Sequence, residues 1–201
     1  MILPAFRRNP QSRSIHALYG MIVAQARLPA FYVGYGVPDT VQGRFDLIVL
    51  HLVLVLARLG RDHESGARRG RHPGPSRGRI FGRGLGRSLG QGLFDAFCRD
   101  LDDNLREMGV GDLAVPREMR RFGEAFYGRQ AAYRDALAAP DDRELEKALV
   151  RNIFGAVGFD DRAARLARYA RAAAKLIDTA EEDALIEGKA VFPNPEAFAN
   201  A

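Results

Sequence analysis

VPDTVQGRFDLIVLHLVLVLARL, residues Val37 to Leu59, is the stretch on which the fold turns. Within it the eleven residues Leu47 to Ala57 are all aliphatic except His51. Such a run can cross a membrane, fill the core of a domain, or hold a cofactor through its histidine. A span needs about 20 apolar residues to match a hydrocarbon layer of about 30 Å, and eleven residues at about 1.5 Å each cover roughly half of that. Asp46 and Arg58 close the run, so extending it would place charges in lipid at about 3 kcal/mol or more each. The run therefore reads as core. Asp39 followed by Gln42 resembles a capping box, which predicts a helix from about Thr40 to Leu59. The density of Val and Ile keeps a buried strand as the alternative.

Working outward, the periodicity is helical nearly everywhere. Ser14 to Arg27 forms a first helix, stopped near Pro29. Leu85, Leu89, Leu93, Phe97, Leu101, Leu105 and Met108 recur at almost every fourth position, with Gly109 placed as terminator. Pro116 suits a helix start, and Met119, Phe122, Phe126, Tyr133 and Leu137 make the next stripe. Asp141 with Glu144 opens another helix, the Ala-rich run from Asp160 a further one, and EEDALIEG a short one. No Asn-Gly or Asp-Gly signals mark hairpins. The predicted class is all-α, one domain over residues 1–201 with about six or seven helices.

Composition divides the chain unevenly. It has 201 residues and a net charge of +5, yet between Gly60 and Arg87 eight Arg stand against Asp62 and Glu64, so the remainder is slightly acidic. That stretch also holds eight Gly and two Pro with little apolar content. It cannot recover its ordering entropy by burial, and it reads as a flexible basic loop interrupting the domain. The chain has 27 Arg and 3 Lys, which reads as the codon bias of a GC-rich genome. No apolar leader follows MILPAFRRNP, and the single Cys98 can form neither an internal disulfide nor a thiolate metal site. A cytoplasmic location follows.

The chemical motifs fail on inspection. GRSLG, Gly86 to Gly90, matches a nucleophile elbow around Ser88, but all four histidines precede it, and a hydrolase of that type needs its His afterwards. The glycines from 82 to 92 fit no dinucleotide or phosphate-loop register. DLDDN, Asp100 to Asn104, starts like a calcium loop, but Leu105 and Gly111 occupy the positions that need Gly and Glu. His51 lacks metal partners one helical turn away. It reads as a core histidine whose ring nitrogens bond a backbone or carboxylate group. No metal, cofactor or catalysis is expected, which favours binding over reaction. The basic loop could rest on phosphate backbones or acidic headgroups. That makes RNA or ribosome binding the alternative function, without sequence-specific readout.

Three blocks together resemble the ubiquinol-cytochrome c chaperone family: Gly36 to Leu59, Leu93 to Leu137 and Glu144 to Gly155. The specific combination is GRFD leading into an LH-containing apolar helix, then LREMGVGDL, then EAFYGR. The resemblance implies an all-helical, non-catalytic chaperone for assembly of the cytochrome bc1 complex. Such a chaperone binds newly made cytochrome b peripherally at the inner membrane, and mitochondrial members also work at the ribosome. Among the motif positions, Asp39, Arg44, Asp46, Asp103, Arg106 and Tyr127 carry polar groups beside apolar surface. With His51, they are the candidates for client contact. Gly60 to Arg87 departs from the family pattern, as either a natural insertion or a reading-frame slip would make it do.

Overall fold

The computed structural model describes residues 10–68, 85–156, 158, 160–189 and 192–199. Among them the chain is helical throughout its regular structure: α1 (Pro10–Ala26), α2 (Pro29–Val33), α3 (Val41–Arg68), α4 (Leu85–Glu107), α5 (Val115–Ala138), α6 (Arg143–Leu149), α7 (Asp161–Thr179), α8 (Glu182–Ile186) and α9 (Glu196–Ala199). A π-helical turn, Val150–Phe154, continues α6.

The opening stretch forms a central helix. Phe45 to Val55 are buried without a break, and α3 packs against α1, α4, α5 and α7. A helix that is apolar on every side must be enclosed on every side, and four neighbours supply that enclosure. The alternative reading as a strand is set aside. Gly43, the glycine of GRFD, sits where an added Cβ would collide with the Pro38 carbonyl; this lets the chain turn sharply into α3. Gly92, inside α4, serves a different purpose: its missing Cβ leaves room for the Ile15 side chain of α1.

Several boundaries differ from expectation. The helix start is capped by Thr40, whose hydroxyl accepts from the Gly43 N–H at 3.1 Å. Asp39 instead pairs with Arg44 at 2.7 Å, and Gln42 donates to Asp46 at 3.0 Å, so no capping box forms. The expectation of a loop over 60–87 fails at both ends: α3 continues to Arg68, and α4 begins at Leu85. Propagating an existing helix costs far less than starting one, which is how a strongly nucleated α3 extends into glycine-containing sequence. Residues 69–84, the middle of that loop, lie outside the described residues. Pro29 begins the single turn α2 rather than only ending α1.

The α4 stripe is buried at Leu89, Leu93, Phe97 and Leu105, but Met108 at its end is 52% exposed. Gly109 ends that helix with φ +83°. The Val110 N–H reaches the Leu105 carbonyl and the Gly109 N–H the Arg106 carbonyl, a Schellman closure. On α7 the buried face is mostly alanine, with Leu166, Tyr169 and Ile177 among them. That lets this helix approach α3 closely.

Candidate functional site

Asp46 and His51, both among the motif positions named above, are buried polar groups on α3. His51 is 0% exposed. Its Nδ1 lies 2.7 Å from the Leu47 carbonyl and its Nε2 lies 2.8 Å from the Tyr169 hydroxyl. A carbonyl only accepts, so Nδ1 carries the proton and Nε2 accepts from tyrosine. The Tyr169 oxygen in turn accepts from Gln25 Nε2 at 2.9 Å, and the same amide donates to the Pro193 carbonyl at 3.1 Å. Rings of Phe31 and Phe192 stand edge-on to the imidazole at 5.4 and 5.0 Å. Burial pushes the imidazole pKa down to about 4, opposed by the bond to Leu47. The ring is neutral, fully bonded and sealed inside the fold. The sequence could anticipate its backbone partner but not Tyr169, which is 118 positions away.

Asp46 is 2% exposed and forms an ion pair with Arg129 of α5 at 2.8 Å. Burial pushes its carboxyl up to about 6, while Arg129 and Gln42 hold it down. The Arg129 guanidinium also lies 5.8 Å from the Phe45 ring centroid and donates to the Ala125 and Asn152 carbonyls. Asp46 and His51 therefore face inward and join helices; the reading of His51 as a core histidine with a backbone partner holds, and neither side chain reaches the surface as a client contact would require.

The other five candidates lie at the surface. Asp39 and Arg44 are paired and exposed at the entrance of α3, and the Arg44 bond holds the Asp39 carboxyl below the usual carboxylate range. Asp103 is exposed on α4. Arg106 pairs with Asp102 at 2.7 Å and with Asp112, tying the loop after α4 back to the helix. Tyr127 is 59% exposed, with its ring 5.9 Å from Phe94 and 5.5 Å from Phe126. Phe45 touches both Phe97 of α4 and Phe122 of α5. The α3 entrance is thus brought to the end of the bundle where α4 passes into α5. Two residues that sequence reasoning missed stand out at this end: Leu113, 99% exposed, and Met108. Met108 was assigned to the core because it kept the stripe's period, although it falls just beyond the last helical turn.

Ser88 lies inside α4 and accepts from Gln11, not on a strand-to-helix elbow. Asp100 also lies inside α4, not on a calcium loop, and accepts from the Tyr19 hydroxyl of α1 at 2.7 Å. Cys98 is a half-buried free thiol packed on the core. Among the described residues no group of His, Cys, Asp or Glu side chains is placed to hold a metal ion, and no helix is long and apolar enough to cross a membrane.

What these residues frame is a helical domain with buried, internally bonded polar groups on α3 and exposed Met108 and Leu113 at the α4–α5 turn. The comparisons carry this further: the chain belongs to the ubiquinol-cytochrome c chaperone family, whose match spans residues 34–192. It is 24% identical over 177 residues to the ubiquinol-cytochrome-c reductase complex assembly factor 1 of Xenopus laevis, covering 87% of this chain and 78% of that protein. The crystal structure of the Cbp3 homolog from Brucella abortus is similar with a TM-score of 0.73 at 33% identity, covering 98% of each chain. The family is one of chaperones rather than enzymes.

Proposed function

We propose that this chaperone serves assembly of the ubiquinol-cytochrome c reductase (bc1) complex by holding newly made cytochrome b peripherally at the membrane surface. The assignment to that complex rests on the family and on the relative's name. The observation that carries a holding role is the exposure of Met108 and Leu113 at the α4–α5 turn, beside Asp103 and Arg106, with Tyr127 exposed further along α5 against Phe94. Apolar side chains left in water with charges around them are the usual mark of a protein-binding surface. A membrane-protein client supplies apolar segments for that surface, and the surrounding charges fix register and discourage wrong partners.

The test is site-specific photocrosslinking in cells. A crosslinker at Leu113 or Tyr127 is expected to capture cytochrome b, whereas one at Glu144 on the opposite part of the chain is not. Deletion of the gene is expected to remove assembled bc1 complex and leave other membrane complexes intact. Capture of ribosomal components alone from Leu113, with no cytochrome b, would refute the client assignment.

A further inference from the structure

Away from that end, α3, α5 and α7 border an open groove of about 670 Å³, within the range of about 300–1,000 Å³ typical of small-ligand sites. Its floor is aliphatic, with Leu56 and Ala57 of α3, Leu137 of α5 and Ala174 of α7. Its rim carries Arg61, Arg134, Arg171 and Lys175 against one carboxylate, Asp178. Arg61 is paired with that carboxylate. Arg171 is committed inward: it bonds Asp142 and the carbonyls of Leu137, Ala139 and Asp141, locking the α5–α6 turn. The cations left for an incoming group are Lys175, which is exposed, and Arg134, whose partner Asp135 is an exposed neighbour at 3.2 Å.

An apolar floor under a net positive rim selects an anion with a hydrocarbon tail. The chain's own segments outside the described residues do not suit it, because 1–9 and 69–84 are themselves basic. We propose that this groove binds an acidic phospholipid, with an acyl chain on the Leu56–Ala174 floor and the headgroup phosphate against Arg134 and Lys175. The assignment stands apart from the identity of the client, since it uses none of the residues at the α4–α5 end.

The experiment is flotation of the full chain with phosphatidylcholine vesicles, with and without phosphatidylglycerol. Binding to the acidic vesicles alone is expected. Arg134→Gln with Lys175→Gln should weaken it on the order of 30-fold, at about 1 kcal/mol per cation near an acidic surface. Ala138→Phe, which fills the groove from its exposed edge without changing charge, should weaken it as well. Both variants are checked for an unchanged unfolding midpoint. Equal flotation with neutral vesicles, or loss with the charge pair but none with Ala138→Phe, would overturn the proposal. So would intact binding in both variants with loss when Arg71, Arg77, Arg79 and Arg83 become Gln, which would locate the attraction in the basic segment.

Discussion

Asp46 and His51 sit five residues apart on α3, about 140° around the helix, and each is a buried polar group. They are satisfied in opposite ways. Towards α4 and α5, the Asp46 carboxylate keeps its charge and is met by a guanidinium that is itself only slightly exposed. Towards α1 and α7, His51 has lost its charge and joins a neutral chain running from Leu47 through Tyr169 to Gln25. Burying a charge demands a partner, and burying a neutral ring demands only donors and acceptors in the right places. The ion-paired face is also the one whose aromatic cluster, Phe45, Phe97, Phe126 and Phe94, continues out to exposed Tyr127. The neutral face is closed.

Breaking the charged side should have the largest effect. Arg129→Leu leaves the Asp46 carboxylate buried without its cation and is expected to cost about 3–5 kcal/mol in urea unfolding. Adding Asp46→Leu should recover most of that loss, and a double variant no better than the single would sink the ion-pair reading. On the neutral side, His51→Leu orphans the Tyr169 hydroxyl and should cost about 1–3 kcal/mol at pH 7.

The two faces also differ in their response to acid. The folded pKa of His51 lies below its ordinary 6.5, at about 4, so the stability it contributes is present above 6.5 and drains away as pH falls towards 4. Asp46 has the opposite sign. Its folded value, about 6, lies above its ordinary 3.8, so its contribution is present below 3.8 and gone above 6. The advantage of the wild type over His51→Leu should therefore shrink by about 3 kcal/mol between pH 6.5 and 4, as read from unfolding midpoints across that range. An advantage that held constant would mean that the ring is hydrated.

Smaller changes sharpen the entrance to the charged face. Gly43→Ala forces a methyl group against the Pro38 carbonyl and should cost about 1–3 kcal/mol. Thr40→Ala should cost about 1 kcal/mol as a lost cap, and Asp39→Ala much less, because its exposed pair with Arg44 does no capping. Leu113→Ser should move stability by no more than about 0.5 kcal/mol while reducing capture of the client.

The sequence made legible whatever depends on neighbours along the chain. The run from Leu47 to Ala57 announced a core element, with a helix favoured over a buried strand by its flanks, and Gly109 announced the end of α4. Partners that meet only through the tertiary fold left no trace. Nothing near Asp46 points to Arg129, nothing near His51 points to Tyr169, and nothing marks Arg171 as the clamp on the α5–α6 turn. Where local reading erred, a physical competitor won. Thr40 offered a hydroxyl one residue closer to the helix than Asp39, and an established helix carried on through Gly60 and Gly66. Of the candidate contact residues, the exposed ones sit where family motifs and surface apolar groups coincide. Leu113 could not be singled out, because a leucine in a loop carries no periodicity to betray its exposure.

The walls around His51 are completed by the chain's final described stretch. Phe192 supplies one ring, Phe198 stands 6.2 Å from Tyr169, and the Pro193 and Pro195 carbonyls receive Gln25 and Tyr35. This buried imidazole is kept dry by a tail that mostly lies past the end of the family match. Its carbon-bound protons are consequently an NMR gauge of whether that tail is seated, titrating near 4 when docked and near about 6.5 once water enters.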